Sequence, residues 1–415
     1  MRRIPVGLTV ALLTAVVAIA GCGAGDSVGN RISGRRLTVY ASVPLDGASS
    51  VNGEAVLRGA RIALAQAGAR IGRDRIGLRS LDDSTVPRGA WDPGQTTENA
   101  RRAVADRTTI GYLGELDSGA SAISIPLLNK AGIPQISPAS TAVGLTSDAP
   151  GALPGEPQKY YPTGVRTFAR VVPNDEIQAG AQVRLQQSLG CRETYVVDDG
   201  EVDGLDTATS FDVAAQTAGL QVAATQAFDP KATDYTALAA AVAQSGANCV
   251  LISAITEDNA VLITQQIATA APKARIFGSA GLAESTFADP REGGIPLALD
   301  PRILITVATL DPSAYPPAGQ AFFADYSKLY GTPQPYAIYG YEAMSLMLGA
   351  ITRATGDGRR PAGRSKVAAE IFSTRDRHSV LGTYSINRDG DTSATRYGVY
   401  RVLAGHLRFW ESIDG

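Results

Sequence analysis

The chain has 415 residues, enough for two domains with cores of their own, and 44% hydrophobic and 19% charged residues mark it as globular. A formal net charge of −2 supplies no basic field for nucleic acid. Beyond residue 22 no run is long and apolar enough to span a bilayer.

Arg2 and Arg3 precede an apolar run from Val6 to Ala20, which is short for a spanning helix and suits a signal peptide. Ile19-Ala20-Gly21-Cys22 resembles a bacterial lipobox, whose cysteine becomes the lipidated first residue of the mature protein. The expectation is a signal peptide over 1–21, a lipid at Cys22 and a flexible tether over 22–36, small and polar in composition. A plain signal peptide with an incidental cysteine is the alternative. Either way the protein is expected to be exported, and with the lipid it is held at the outer face of the cytoplasmic membrane or in a periplasm.

Residues 37–43 read as an apolar strand, and 53–66 as a helix with Ala55, Leu57, Ala60, Ile62 and Leu64 at near-helical spacing. A strand over 76–81 ends in Asp82-Asp83-Ser84, and a helix follows over 96–105. The strand TIGYLG leads to Asp117-Ser118-Gly119, a helical run reaches about Ala131, and the strand IPQIS ends in Ser137-Pro138-Ala139-Ser140-Thr141. Ser118 falls where an N-cap belongs, so its hydroxyl and the free N–H groups of the first turn suit an anion such as a ligand carboxylate. In an open α/β sheet, ligands bind beyond the carboxyl ends of strands. Ordinary capped βα turns would look the same. The loop 147–164, rich in proline and glycine, carries Tyr160 and Tyr161, which either overhang a cleft or pack on the surface.

The pattern then repeats: helix 176–189, strand 193–198, helix 207–218, strand 220–227, helix 234–245, strand 249–254, helix 257–270 and strand 275–278. A strand over 303–308, helices over 319–330, 337–354 and 364–372, and the strands TRYGVYRVL and HLRFWES complete the chain. Strands alternating with helices predict an α/β protein with mainly parallel sheets.

An ordered series of segments carries a resemblance: VPLDG (43–47), GEAVLRGARIAL (53–64), LDDS (81–84), SGAS (118–121), AGIPQISPAST (131–141), FARVVPND (168–175), FDPKATDYTAL (228–238), FGSAGLAEST (277–286), YGYEAMSL (339–346) and LGTYSINRDGD (381–391). From about Leu37 to Trp410 the chain resembles the type I periplasmic-binding family, in particular the solute-binding lipoproteins of branched-chain amino acid ABC transporters. The resemblance implies two Rossmann-like, flavodoxin-like lobes joined by a three-crossover hinge: lobe I over 37–169 plus 283–395, lobe II over 170–282 plus 396–415. The strand over 303–308 accordingly falls in lobe I. It also implies a monomer that closes on a small amino-acid-like, polar or amphipathic solute and delivers it to an ABC permease in the membrane, with no cofactor and no metal. A lipid-anchored extracellular sensor of the same fold is the alternative.

The family's grip on an α-carboxylate maps to Ser118, Ala139, Ser140 and Thr141, with Gly119 beside them. Its α-ammonium meets an acid in a Gly-x-(Asp/Glu)-Gly pattern, which here reads Gly278-Ser279-Ala280-Gly281. Ala280 has taken the place of that acid. Val202 or Asp203 stands where the family has an aromatic residue, and a second cleft aromatic is replaced near Ile255-Thr256. An unpaired ammonium in a closed cleft costs several kcal/mol, so either the ligand is not a simple α-amino acid or another acid serves. Asp117, Asp199 and Glu284 are the expected substitutes. Among the other acids Asp198, Glu201, Asp203, Asp206, Glu257 and Asp258, a helix-start role suits Asp206, Glu257 and Asp258 best.

Cys191 and Cys249 each open a predicted strand. In a flavodoxin-like order those strands are neighbours, so an oxidising compartment favours a disulfide where the register agrees, two buried thiols being the alternative. His378 and His406 sit in surface-like polar settings without a nucleophile, and no hydrolase, metalloprotease or nucleotide-binding motif appears, so no catalytic residue is expected. Asn387-Arg388-Asp389-Gly390-Asp391 looks like half a calcium loop but lacks the later glutamate, and reads better as a turn.

Overall fold

The computed structural model describes residues 30–415. The expected signal peptide, the expected lipid site at Cys22 and most of the expected tether lie outside the described residues. The described chain starts pinned to its own later part, with Arg31 bridging Gly363 and the Ile32 N–H donating to the Ala362 carbonyl at 3.0 Å.

The first lobe is built from β1 (Arg36–Val43), α1 (Ser50–Gln66), β2 (Arg70–Ile71), β3 (Asp74–Asp82), the small hairpin β4 (Ser84–Thr85) and β5 (Ala90–Trp91), α2 (Pro93–Ala105), β6 (Thr109–Leu113), α3 (Ser118–Lys130), β7 (Gln135–Ser137) and β8 (Phe168–Arg170). Its sheet runs β2-β3-β1-β6-β7-β8, parallel except for β2. Every residue of β6 is buried, as expected of a parallel strand covered on both faces. Helix α2 begins where Asp92 accepts from the N–H groups of Gly94 and Gln95 with Pro93 at the first position.

The second lobe takes α4 (Asp175–Ser188), β9 (Glu193–Asp198), α5 (Val202–Ala218), β10 (Gln221–Ala227), α6 (Thr236–Ser245), β11 (Cys249–Ser253), α7 (Val261–Ala270), β12 (Arg275–Gly278), the single turn α8 (Ser285–Ala288) and β13 (Ile303–Val307). The chain returns to the first lobe for α9 (Pro317–Tyr330), α10 (Ala337–Thr355), α11 (Arg364–Phe372) and the hairpin β14 (Arg377–Ser379) and β15 (Gly382–Tyr384). It ends in the second sheet with β16 (Arg396–Leu403) and β17 (His406–Asp414). That sheet runs β10-β9-β11-β12-β13-β16-β17, with β16 antiparallel to both neighbours. The chain therefore passes between lobes three times, at 171–174, 308–316 and 385–395.

The strand over 303–307 corrects one expectation. Assigned from sequence to the first lobe, it pairs with β12 and β16 in the second sheet, so the second crossing comes after Val307 and not near Ala283. An apolar run such as ILITV is buried wherever it lies, and nothing in it names its sheet. A second correction concerns α5, which starts at Val202 and not at 207. Its first turn, Val202-Asp203-Gly204-Leu205, carries a glycine and an acid that read as loop. Gly204 fits there because a Cβ would lie 2.1 Å from Asp199 Oδ1 and 2.7 Å from the Ser253 carbonyl.

Cys191 and Cys249 are disulfide-bonded across the neighbouring strands β9 and β11, with Cα atoms 5.7 Å apart. Tyr160 and Tyr161 do not overhang a cleft. Both are buried beside Ile125, Leu145 and Phe168, and the Tyr161 hydroxyl donates to the Leu145 carbonyl at 2.7 Å. Residues 387–391 form a turn in which the Asn387 side-chain oxygen accepts from the N–H groups of Asp389, Gly390 and Asp391, while Asp391 pairs with Arg170 at 2.7 Å. Among the described residues no helix is long and apolar enough to cross a membrane.

Candidate functional site between the lobes

Helix starts from both lobes meet at the cleft, and their capping residues behave unusually there. Away from it, Asp92, Asn174 and Asp311 accept hydrogen bonds from their own first turns. At the cleft, Ser49, Asp117, Glu201 and Glu284 hold the N-cap positions of α1, α3, α5 and α8 without a side-chain cap bond. Three of these side chains reach across the cleft instead. Ser49 Oγ donates to Glu284 Oε1 at 2.9 Å, and Glu201 accepts from Arg88 at 3.1 Å. Asn52 Nδ2 also donates to Glu284 Oε1, at 3.1 Å, and the Ser49 N–H donates to Glu257 Oε1 at 3.0 Å.

The hydroxyl-rich strand ends form a second bridge. Ser118 Oγ accepts from the N–H groups of Thr141 and Ala142, each at 3.1 Å, and donates to Asp203 Oδ1 at 3.0 Å. Thr141 Oγ1 donates to the same oxygen at 3.0 Å. Next to it, the Val143 N–H donates to Asp206 Oδ2 at 2.8 Å. The loop 140–146 is held from behind by Arg170, fully buried, whose guanidinium donates to the carbonyls of Ser140 and Ala142, to Thr146 Oγ1 and to Asp391.

Between the bridges lies a cavity of about 40 Å³ lined by both lobes. Of the residues expected from sequence, Asp117, Ala139, Thr141, Ala280 and Glu284 line it. The others are placed elsewhere. Ser118 stands just behind the wall and is the first residue of α3, the N-cap being Asp117. Gly119 lies under the Trp91 ring, 2.6 Å from where a Cβ would sit. Ser140 Oγ is buried against Ser121 Oγ at 2.8 Å. Asp199 uses both oxygens on the N–H groups of Glu201 and Ile255, each at 3.0 Å, and so braces the second lobe's loops. Val202 packs against the apolar cluster that holds Tyr160 and Tyr161, and Thr256 Oγ1 donates to the Gly281 carbonyl at 3.1 Å.

Sequence reasoning missed Ser49, Asn52 and Tyr336 as lining residues. Ser49 and Asn52 open α1 and look like an ordinary helix start; Tyr336 precedes α10 in a loop with no motif. Asp203 appeared only as one acid in a crowd.

The electrostatics are one-sided. No lysine, arginine or histidine lines the cavity. Burial, then the carboxylates of Glu257, Asp203 and Glu284, push Asp117 well above the usual carboxylate range. Burial, then Glu257, raise Glu284 to about 8, with Ser49 and Asn52 pulling the other way. Burial also raises Asp203, against its two hydroxyl donors.

Two lobes of this topology, with a cavity at the carboxyl ends of their strands, define a ligand-binding fold, and the sequence says which. The pattern of the periplasmic binding protein family matches residues 38–406, and the chain belongs to that family. Among solved structures, the leucine-binding protein LivK of Thermotoga maritima is similar over 91% of this chain and 99% of its own, at 22% identity and a TM-score of 0.77. The branched-chain amino acid binding protein LivJ of Streptococcus pneumoniae, in complex with isoleucine, is similar over 92% and 100%, at 18% identity and a TM-score of 0.74. A solute-binding protein of Rhodopseudomonas palustris, in complex with p-hydroxybenzoic acid, is similar over 91% and 97%, at 16% identity and a TM-score of 0.71. No curated protein matches in sequence. At these identities the likeness is one of fold.

Proposed function

We propose that this protein is the extracytoplasmic, lipid-anchored solute-binding component of an ABC importer, which closes its lobes on a small solute and presents the closed form to a membrane permease. The observation that carries this reading is the cavity lined by Asp117, Ala139 and Thr141 from one lobe and Asp203, Ala280 and Glu284 from the other. A ligand held by both walls binds the closed form more tightly than the open one, which is what drives a hinge to close. The acid absent at Ala280 has a counterpart in Glu284, four residues on and in the same cavity. The structures bound to isoleucine and to p-hydroxybenzoic acid support a solute role for the fold across different ligand chemistries.

The test is small-angle scattering and thermal melting of the purified protein against amino acids, carboxylates, amines and sugars. A true solute at a hundred times its dissociation constant stabilises by about 2.7 kcal/mol and contracts the particle. A panel in which no compound does either refutes the reading.

A further inference from the structure

We propose that the cleft selects an organic ammonium ion that carries no carboxylate, because Asp203 already fills the anion seat of the first lobe. This rests on the solute-binding reading above and narrows it to a substrate class.

The seat is the pair of hydroxyls on Ser118 and Thr141, and both donate to one oxygen of Asp203. A ligand carboxylate would have to displace that side chain. It would strip Asp203 of both donors and set a second anion beside it in a buried site, an arrangement that works against binding. What is left of the cavity asks for the opposite charge. Asp117 lines the cavity, and its Oδ2 is out of reach of solvent with no hydrogen-bond partner; Glu257, which is not in the lining but accepts from the Ser49 N–H, leaves its Oε2 in the same state. Glu284 is 7% exposed and lines the cavity, and both bonds it accepts fall on Oε1. Buried acceptors of this kind need donors, and carboxylates need a cation.

Size and shape narrow the cation. A cavity of about 40 Å³ admits an ammonium head but not a branched side chain with its own backbone. Asn52 and Glu284 also belong to the wall of an adjoining hollow of about 580 Å³ that includes Leu310, Phe323, Tyr400 and Phe409. The head fits the inner cavity and an apolar or extended tail fits the outer one. Among the described residues no three histidine, cysteine or acidic side chains converge to hold a metal ion, which favours an ammonium group over a divalent cation.

The experiment is calorimetric titration of the purified protein with butylamine, cadaverine and spermidine, beside leucine, isoleucine and benzoate, and of the variants Glu284→Gln and Asp203→Ala. The expected result is binding of at least one amine and of none of the carboxylates. Glu284→Gln should weaken amine binding at least tenfold, and Asp203→Ala should open the seat and bring in leucine binding absent from the parent. If Asp203→Ala does not fold, Asp203→Asn serves: it keeps the shape, and a tenfold loss of amine affinity at an unchanged melting temperature supports the proposal, whereas unchanged affinity overturns it. Binding of leucine or benzoate by the parent overturns this inference while leaving the solute-binding reading intact. Silence towards all of these, together with silence in the broader melting panel that includes sugars, overturns both.

Discussion

The two walls of the cleft differ in kind. The first lobe offers mostly neutral donors, Ser49, Asn52, Ser118, Thr141 and the N–H groups of the loop after β7, with Asp117 as its one acid in the cavity lining. The second offers carboxylates: Asp203, Asp206, Glu257 and Glu284. Most cross-cleft bonds described above run from a donor on the first lobe to an acid on the second. The lobes differ in their bracing too. The first is held behind the cleft by the guanidinium of Arg170, the second by a disulfide between β9 and β11. A closed form assembled this way is well bonded yet short of positive charge, so the interface itself prefers a cation.

The largest way to break this arrangement is Arg170→Leu. It strands Asp391 and three acceptors of the loop 140–146, and should cost about 3–5 kcal/mol in chemical denaturation, with loss of the Thr141 donor geometry seen as weakened ligand binding. Opening the disulfide by Cys191→Ser with Cys249→Ser should cost about 2–4 kcal/mol, confined to the second lobe and visible as faster hydrogen exchange in β9 to β11. Titration sharpens the comparison. Glu284 has a folded pKa of about 8, above its unfolded value. Its contribution is complete below the unfolded pKa, near 4.5, and is lost as pH rises towards 8, with a slope of up to about 1.4 kcal/mol per pH unit. Glu284 faces Ser49, Asn52, Glu257, Asp117 and Asp203, all acidic or neutral. Thermal melts from pH 5 to 8 should therefore fall in the parent and fall less steeply in Glu284→Gln, where Asp117 and Asp203 still have raised pKa values, and amine binding should strengthen over the same range. The smallest effect is expected at the rim, where Arg88 meets Glu201 at 3.1 Å and stacks on Trp91 with both partners half-exposed. Arg88→Ala should cost at most about 1 kcal/mol.

Much of the architecture is written in local sequence. Alternating apolar strands and helices, and turns that end in glycine, locate the main elements of both lobes to within a few residues, apart from the start of α5 and the short pieces β2, β4, β5, α8, β14 and β15, which are too brief to show a period. The strand ILITV shows the limit: burial on both faces makes it a strand, but its sheet is decided by partners nearly a hundred residues away, at Gly398–Arg401. The site was legible where hydroxyls cluster at strand ends and illegible where function lies in a bond not made. The sequence places the N-cap of α3 at Ser118; only the fold shows that Ser49, Asp117 and Glu284 hold N-cap positions and that none of their side chains caps. Asp203 was hidden by the late predicted start of α5, which left it in a loop instead of in the first turn facing Ser118.

The pairing of Arg31 and Ile32 with residues 362–363 decides which jaw is the handle. The first described residues thus belong to the first lobe, so a tether of the kind proposed above would hold that lobe and leave the second, which carries most of the acids, to move. On the solute-binding reading proposed above, occupancy would then be signalled by the displacement of one body and not by the mutual approach of two.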